Sequence, residues 1–223
     1  MRGLTIAFDL DGTLVETAPD LIRATNHVMS VAGLAPVDGT GLRNVISFGS
    51  RAMIEHGLSV HGQSMTIADV DRLQVLFLEH YAANIAAESH AYPGLETALG
   101  LLAENGARLV VCTNKQEALS RQLLDALGLA PRFAAIAGRD TFPVYKPHPD
   151  HLTGAIRLAG GDPADAVMVG DSDTDIRTAR AAGIPVVGVP FGYTDVPIRD
   201  LGADLVIEHY DELLDAVKRL RRN

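Results

Sequence analysis

Two aspartates, Asp9 and Asp11, follow the first apolar run of the chain. They stand in the segment Phe8–Leu14, which reads FDLDGTL, and the glycine after them allows the chain to turn. A carboxylate can attack phosphorus and form an acyl-phosphate that water later hydrolyses, and we assign this role to Asp9. Asp11 would act as general acid toward the leaving oxygen and then as general base for the water. A turn or a calcium loop shares the Asp-x-Asp-Gly pattern, but Thr13-Leu14-Val15 do not continue the ligand pattern of a calcium loop.

Two further clusters could bind a phosphoryl group. An apolar stretch ends in Thr113 and Asn114 just before a helical pattern, and this hydroxyl and the following amides could hold a phosphoryl oxygen, as helix N-termini do. By itself this pattern is more typical of an ordinary N-cap. Lys146 precedes Pro147-His148-Pro149, and its ammonium could neutralise the nucleophile and the phosphoryl oxygens. A solvated lysine is the usual alternative.

A fourth cluster, Gly170–Asp175, reads GDSDTD and leads into another helical pattern. Asp171 and Asp9 would give Mg²⁺ two hard oxygen ligands, and the backbone carbonyl of Asp11 and waters would complete an octahedron. Asp175 lies four residues after Asp171 on the same helix face, where it could orient Lys146 or the water shell of the metal. We therefore predict a magnesium site that joins two distant parts of the chain.

The positions of these clusters depend on the secondary structure around them. Helical patterns separate most of the apolar runs, so the sequence predicts an α/β fold with a mostly parallel sheet and helices on both faces. All four clusters fall at predicted carboxyl ends of strands, where such sheets bind ligands. The predicted strands are Leu4–Phe8, Arg108–Cys112, Ala134–Ala137, Ala166–Val169, Pro185–Val189 and, more weakly, Ala203–Ile207.

The stretch from Glu16 to about Ala86 breaks this alternation, because its pattern is helical throughout. A crossover between neighbouring strands needs only a dozen or so residues, so we predict an inserted helical domain at 16–87 and a catalytic core at 1–15 and 88–223. The insertion would lie over the ligand-binding mouth of the sheet. Its predicted helices are Asp20–Ala32, Gly41–Ser47, Ser50–Leu58 and Ile67–Ala87.

Composition restricts the partners and the compartment. With 19 Lys and Arg against 28 Asp and Glu, the formal net charge is −9, which disfavours nucleic acid as a partner. Cys112 is the only cysteine, so an intramolecular disulfide is impossible and we expect a cytoplasmic protein. No segment has the apolar length of a membrane span. We expect a small phosphate ester as the partner molecule, and a monomer or homodimer.

These motifs resemble those of the haloacid dehalogenase superfamily, in the order Asp9-x-Asp11-x-Thr13, Thr113, Lys146 and Gly170-Asp171-x-x-x-Asp175. Within it, Phe8–Pro19, Thr113-Asn114-Lys115 and Val167–Gly188 are similar to the phosphoglycolate phosphatase-like subfamily. The resemblance implies a Rossmann-like three-layer core with a helical cap domain, Mg²⁺ dependence and an aspartyl-phosphate intermediate. It also implies phosphate binding by Thr13, Thr113 and Asn114.

The resemblance excludes some reactions of the superfamily and leaves others open. Dehalogenases lack the second aspartate, which is present here as Asp11, and phosphonate-cleaving members use a cap lysine, whereas no lysine precedes Lys115. Arg51 in Phe48-Gly49-Ser50-Arg51 could grip a substrate carboxylate, so 2-phosphoglycolate is the predicted substrate; an i,i+4 contact with Glu55 is the alternative. Nucleotide, pyrophosphate or sugar-phosphate hydrolysis, phosphomutase activity and a catalytically idle binding module remain alternatives.

Overall fold

The computed structural model describes residues 1–194 and 196–221. The chain forms two compact units, one from Met1 to Glu16 and from Ala91 onward, the other from Thr17 to His90. The second unit corresponds to the inserted stretch that the sequence places at 16–87. The second unit ends at His90, later than the predicted boundary at 87, because the chain enters a short strand at His90–Ala91. A strand of two residues is too brief to leave a periodic signal in the sequence.

The first unit is built on a six-stranded sheet of order β5-β4-β1-β6-β7-β8, and a separate pair is formed by β2 and β3. Every pairing given for the large sheet is parallel. The register sets Phe8 opposite both Val111 and Val169, so three strands end at the same edge. The strands are β1 Thr5–Phe8, β2 Val15–Glu16, β3 His90–Ala91, β4 Arg108–Cys112, β5 Ala135–Ala137, β6 Ala166–Gly170, β7 Val186–Gly188 and β8 Leu205–Val206.

Helices lie between most of the strands, as the alternating pattern predicts. In the first unit they are α5 Leu95–Glu104, α6 Glu117–Ala126, α7 Pro149–Leu158, α8 Asp173–Ala182 and α9 Leu213–Leu220; in the second they are α1 Ala18–Val31, α2 Gly39–Arg43, α3 Ser50–Val60 and α4 Ile67–Ala83. Within the described residues, no helix combines the length and the apolar character needed to cross a membrane.

Both faces of the large sheet are buried, which gives the first unit the three layers of a Rossmann-like α/β fold. On one face, alternate strand residues such as Val110 and Met168 form a core with Leu152 and Ile156 of α7 and with Ile176 of α8. The strand residues that alternate with these, such as Val111 and Val169, point to the opposite face of the sheet and are also buried. Helix α5 packs on β4 and on α9. Continuous apolar strands are what a sheet covered on both faces requires.

The second unit is helical, and α1, α3 and α4 pack against one another. Two of its helices differ from the prediction by more than two residues at one end. The predicted helix Gly41–Ser47 is wrong, because α2 ends at Arg43 and a separate 3₁₀ turn covers Ile46–Phe48, with Val45 leaving the helical region at φ −110°, ψ 0°. The predicted helix Ile67–Ala87 ends early, at Ala83, because Asn84 turns out of the helix with φ −133°.

Candidate active site

Asp9 and Asp11 lie in a tight turn just beyond β1. The backbone N–H of Asp9 donates to Val169 O at 3.0 Å, which continues the pairing with β6. Leu10 O then accepts from three successive amides, those of residues 13–15, at 3.0–3.3 Å. Gly12 has φ +82°, and a Cβ at this position would lie 2.5 Å from Asp171 Oδ2. Glycine is therefore needed both for the backbone conformation and for the space beside Asp171.

Three carboxylates meet at this edge of the sheet. Asp9, Asp171 and Asp175 each offer an oxygen, and these oxygens all lie within 4.8 Å of one another. Asp171 and Asp175 are buried. Burial raises the pKa of Asp9 to about 6, although Lys146 opposes the rise. Burial, followed by the charges of Asp175 and Asp9, also raises the pKa of Asp171. Ionised carboxylates this close together require cationic partners.

Lys146 supplies one of these cations. Its Nζ lies 2.6 Å from Asp175 Oδ1 and 2.9 Å from Asp9 Oδ1, and the side chain is only 2% exposed. Burial by itself would lower the pKa of this amine, but Asp175 and Asp9 raise it, so the ammonium form persists. The next residues start α7: His148 is the N-cap, and its ring accepts from Asp150 N at 3.2 Å. Within the described residues, this ammonium therefore pairs with two of the three carboxylates.

The two buried acids beyond β6 have different surroundings. Both oxygens of Asp175 accept hydrogen bonds. Oδ1 accepts from Lys146 Nζ at 2.6 Å, and Oδ2 accepts from Ser172 N at 3.1 Å and from Ser172 Oγ at 2.7 Å. Asp171 accepts one hydrogen bond on each oxygen, from Thr13 Oγ1 at 2.7 Å and from Tyr193 N at 2.8 Å. Each Asp171 oxygen therefore keeps a lone pair that could face a metal ion, whereas Asp175 fits a supporting role.

The family model for the haloacid dehalogenase-like hydrolases matches residues 6–189 of this chain. This chain belongs to the haloacid dehalogenase-like hydrolase family. The phosphoglycolate phosphatase of Mesorhizobium japonicum is 51% identical over 97% of this chain and 96% of that protein. The one of Agrobacterium fabrum is 46% identical over 94% and 90%. The crystal structure of a predicted phosphoglycolate phosphatase from Haemophilus somnus superposes with a TM-score of 0.89 at 28% identity, covering 96% of this chain and 97% of that one.

In this haloacid dehalogenase-like hydrolase the second predicted cluster also lies at the sheet edge. Thr113 is buried, and its Oγ1 accepts from Lys115 N at 3.2 Å. Asn114 Nδ2 donates to Lys146 O at 3.0 Å, which links the second cluster to the third. Asn114 Oδ1 is buried and has no hydrogen-bond partner among the described residues. Thr13, which the resemblance assigns to phosphate, is fully buried, and its hydroxyl is directed at Asp171.

Sequence reasoning gave no individual role to three residues of this site. Lys115 Nζ lies 2.8 and 3.1 Å from the two oxygens of Asp11, and its side chain is 7% exposed. Tyr193 and Gly192 stand against Asp171, where a Cβ on Gly192 would come within 2.1 Å of Oδ2. A signal existed only for Lys115: it lies two positions after Thr113, in the loop that follows β4, the strand next to β1. The loop at 192–193 follows β7 without a recognisable pattern.

Arg51 lies in the second unit, where acidic neighbours surround it. Its Nη2 lies 2.8 Å from Asp71 Oδ1, and its Nε lies 3.7 Å from Glu55 Oε1, so the i,i+4 contact expected as the alternative is present. Arg51 Nη1 is buried and has no hydrogen-bond partner among the described residues. The two N–H groups of this nitrogen are therefore unpaired within the part of the chain that the structure describes.

Proposed function

We propose that this chain is a magnesium-dependent phosphatase that hydrolyses small phosphate monoesters through an aspartyl-phosphate on Asp9. The observation that carries the proposal is the convergence of Asp9, Asp171 and Asp175 at the carboxyl edge of the sheet, where Lys146 pairs with Asp9 and Asp175. Membership of the haloacid dehalogenase-like hydrolase family supports it.

The residues present fit a divalent cation. Asp9, Asp171 and Asp175 bring three carboxylate oxygens within 4.8 Å of one another, whereas Lys146 pairs with only two of these acids, at 2.9 Å from Asp9 Oδ1 and 2.6 Å from Asp175 Oδ1. Hard carboxylate oxygens are the ligands that Mg²⁺ prefers. Asp9, Asp171 and the backbone carbonyl of Asp11 would hold the ion, and Asp175 would orient the site through Lys146. When bound, Mg²⁺ supplies positive charge that neutralises the phosphoryl oxygens and the nucleophile.

The chain's own groups account for both halves of the reaction. An oxygen of Asp9 attacks phosphorus, the bond from phosphorus to the ester oxygen breaks, and Asp11 gives its proton to that oxygen. Asp11 then takes a proton from water, whose oxygen attacks phosphorus and releases Asp9 and inorganic phosphate. Lys146 keeps Asp9 in place and offsets its charge. Lys115 holds Asp11 in one orientation between the two steps. Thr113 and Asn114 bind phosphoryl oxygens.

We propose 2-phosphoglycolate as the substrate. The relatives at 51% and 46% identity are named phosphoglycolate phosphatase, and they match this chain over nearly its whole length. The second charge of this substrate is a carboxylate, which a guanidinium can bind through two hydrogen bonds; Arg51 is the candidate that the sequence predicts. The single cysteine, Cys112, is a buried thiol, which suits a cytoplasmic enzyme.

Phosphate release from a panel of esters tests this proposal. The panel is 2-phosphoglycolate, a hexose phosphate, a nucleoside monophosphate, pyrophosphate and p-nitrophenyl phosphate, each with Mg²⁺ or with EDTA. We expect the highest kcat/KM for 2-phosphoglycolate and no turnover in EDTA. A preference for another ester would overturn the substrate and keep the phosphatase. No release from any ester with Mg²⁺ would overturn the phosphatase and favour a binding module.

The nucleophile is tested separately by Asp9→Asn. This change removes the attacking oxygen's charge at nearly constant volume, so turnover should fall by at least ~10³-fold. Asp173→Asn is the matched control, because Asp173 is an exposed acid at the start of α8 that pairs only at 3.4 Å with Arg177. Asp173→Asn should keep normal turnover. Normal turnover of Asp9→Asn would rule out the covalent intermediate.

A further inference from the structure

The outward face of α4 carries one stripe of exposed residues. Val70, Leu73, Phe77 and Tyr81 form the buried face of this helix. Ala68, Arg72, Val75, Glu79 and Ala83, at helical spacing on the other side, are all exposed. Val75 is 56% exposed. A surface helix usually presents polar groups to water, whereas Val75 lies exposed between Arg72 and Glu79 on this face.

An apolar groove runs along this stripe. It has a volume of about 750 Å³ and lies between the end of α1 and α4. Val31, at the end of α1, is 54% exposed and lines it. Met65 and Leu76, both partly buried, line it as well. The groove and the stripe thus form one apolar surface, which water solvates unfavourably.

The stripe is self-complementary about its centre. That centre falls between Val75 and Leu76, since Arg72 lies three positions before Val75 and Glu79 three positions after Leu76. Ala68 and Ala83 lie seven positions out on either side. If a second α4 packs antiparallel about this point, Arg72 of each copy faces Glu79 of the other. At the centre Val75 of each copy faces Leu76 of the other, and the alanines at both ends allow close approach of the helices.

We propose that α4 is the interface of a homodimer in which two copies pack antiparallel through this stripe. A second copy is favoured over another protein because the charges match themselves under a two-fold axis, and a two-fold interface repeats every contact. Arg72 already lies 2.8 Å from Asp69, but the Arg72 side chain is 80% exposed and that of Asp69 is 39% exposed. Surface ion pairs of this kind contribute little, so Arg72 can exchange this partner for Glu79 of the second copy.

Charge reversal tests the interface in the full chain. Sedimentation equilibrium should show a dimer for the wild type, and Arg72→Glu or Glu79→Arg should each raise the dimer dissociation constant by about tenfold or more, because like charges then face each other. The double variant R72E/E79R should restore dimerisation, since the pairs re-form with exchanged polarity. Arg177→Glu, an exposed arginine of α8 in a carboxylate pair, is the control and should leave the dimer intact.

A cysteine cross-link tests the geometry independently of affinity. Val75→Cys places a thiol beside the two-fold axis, so mild oxidation should give a covalent dimer. Val60→Cys, also 56% exposed at its native valine, should not. The native Cys112 is buried and does not compete. Three outcomes would each overturn the proposal. The wild type could be monomeric at all concentrations, both charge reversals could leave the dimer dissociation constant unchanged, or the two cysteine variants could cross-link equally. None of these outcomes depends on phosphatase activity.

Discussion

At the scale of single residues, the position of Asp171 depends on close backbone approach. Thr13 and Tyr193 donate to its two oxygens. Gly12 and Gly192 leave the space in which the carboxylate lies. A metal ligand fixed in this way requires little reordering when an ion binds, and such supporting contacts strongly affect metal affinity. The two glycines beside this acid therefore support its position in the proposed site.

We predict that Gly192→Ala weakens Mg²⁺ binding by about 10–100-fold. The added Cβ would come within 2.1 Å of Asp171 Oδ2 and 2.4 Å of its Cβ, so the carboxylate must move. Isothermal titration with Mg²⁺ measures the effect. Gly100→Ala in α5 is the control, because beyond its own helix no described heavy atom lies within 4 Å of the added Cβ. It should keep the affinity and gain up to about 1 kcal/mol of stability. Equal affinities in the two variants would contradict the role of Gly192.

At the scale of elements, one buried histidine joins α7 to the sheet. His151 Nε2 lies 3.0 Å from Gly138 O, an acceptor, so this nitrogen carries the proton. Nδ1 then accepts from Cys112 Sγ at 3.5 Å. Burial lowers the pKa of His151 to about 4, and burial raises the pKa of the Cys112 thiol to about 12. The pair is thus neutral and fixes the helix that follows Lys146.

His151 should make the fold sensitive to acid. The pKa of its ring is about 4 in the folded chain against 6.5 in a free imidazole. The unfolded chain therefore binds the extra proton between these values, and stability is complete above pH 6.5 and falls as the pH drops toward 4. The loss from this group is roughly 2 kcal/mol at pH 5. Urea denaturation at pH 7 and pH 5 measures how far the free energy of unfolding falls between the two. The fall should be smaller by that amount in His151→Gln than in the wild type, because glutamine does not titrate while its amide can still donate to Gly138 O. An unchanged drop would contradict this assignment.

The first turn of α1 is tied to the segment after α4 within the second unit. Asp20 is buried and accepts from Glu88 N at 3.1 Å, from Ser89 N at 2.9 Å and from Ser89 Oγ at 2.7 Å. Arg23 Nη2 lies 2.5 Å from the same carboxylate. Burial alone would raise the pKa of Asp20, but these hydrogen bonds and Arg23 lower it. The ionised form of this acid therefore contributes to folding.

We predict that Asp20→Asn lowers the stability of the second unit by about 1–3 kcal/mol, because charged hydrogen bonds are lost. The lowered pKa of Asp20 means that its contribution is present above the unfolded value of 3.8 and disappears as the pH falls below it. Hydrogen exchange at the amides of Glu88 and Ser89 should accelerate at pH 7. Asp38→Asn is the control, since asparagine caps α2 as well as aspartate does. Unchanged exchange at residues 88 and 89 would contradict this role of Asp20.

At the scale of the whole molecule, folding and metal binding should be linked. A chain of net charge −9 concentrates three carboxylates within 4.8 Å at one edge of its sheet. The pKa of Asp9 is raised to about 6. In the metal-free chain its contribution to stability is present below the unfolded value of 3.8 and is lost as the pH rises through 6. A cation that binds the ionised form reverses that loss.

Mg²⁺ should therefore raise the Tm, and EDTA should reverse the increase. At a concentration of 100 Kd the gain is about 2.7 kcal/mol. The increase should be larger at pH 7.5 than at pH 5, because the ligands must lose protons before the ion binds. Calorimetry with Asp171→Asn provides the comparison, and this variant should show almost no increase. An equal increase with and without Asp171 would place the ion elsewhere.

The sequence alone was sufficient for the α/β class, because apolar runs and helical patterns alternate, and β4 has the predicted bounds Arg108–Cys112. It was also sufficient for the family, since the motif residues and their order are local features. The predicted helix bounds were wrong at Val45 and Asn84. The backbone leaves the helical conformation at these two residues, although the pattern of apolar residues continues beyond them. Strands of two residues, such as Val15–Glu16, are too short to show a period.

Tertiary structure decided which motif residues contact which. Asp11 contacts Lys115, 104 residues away, and Thr13 contacts Asp171, 158 residues away. These pairs follow from the register of β1 between β4 and β6, which a pattern of residue types does not contain. The same holds for Tyr193, whose contact with Asp171 is made by a backbone amide and so has no side-chain signature. Residue types determined the chemistry available to this protein, and strand register determined which groups share one site.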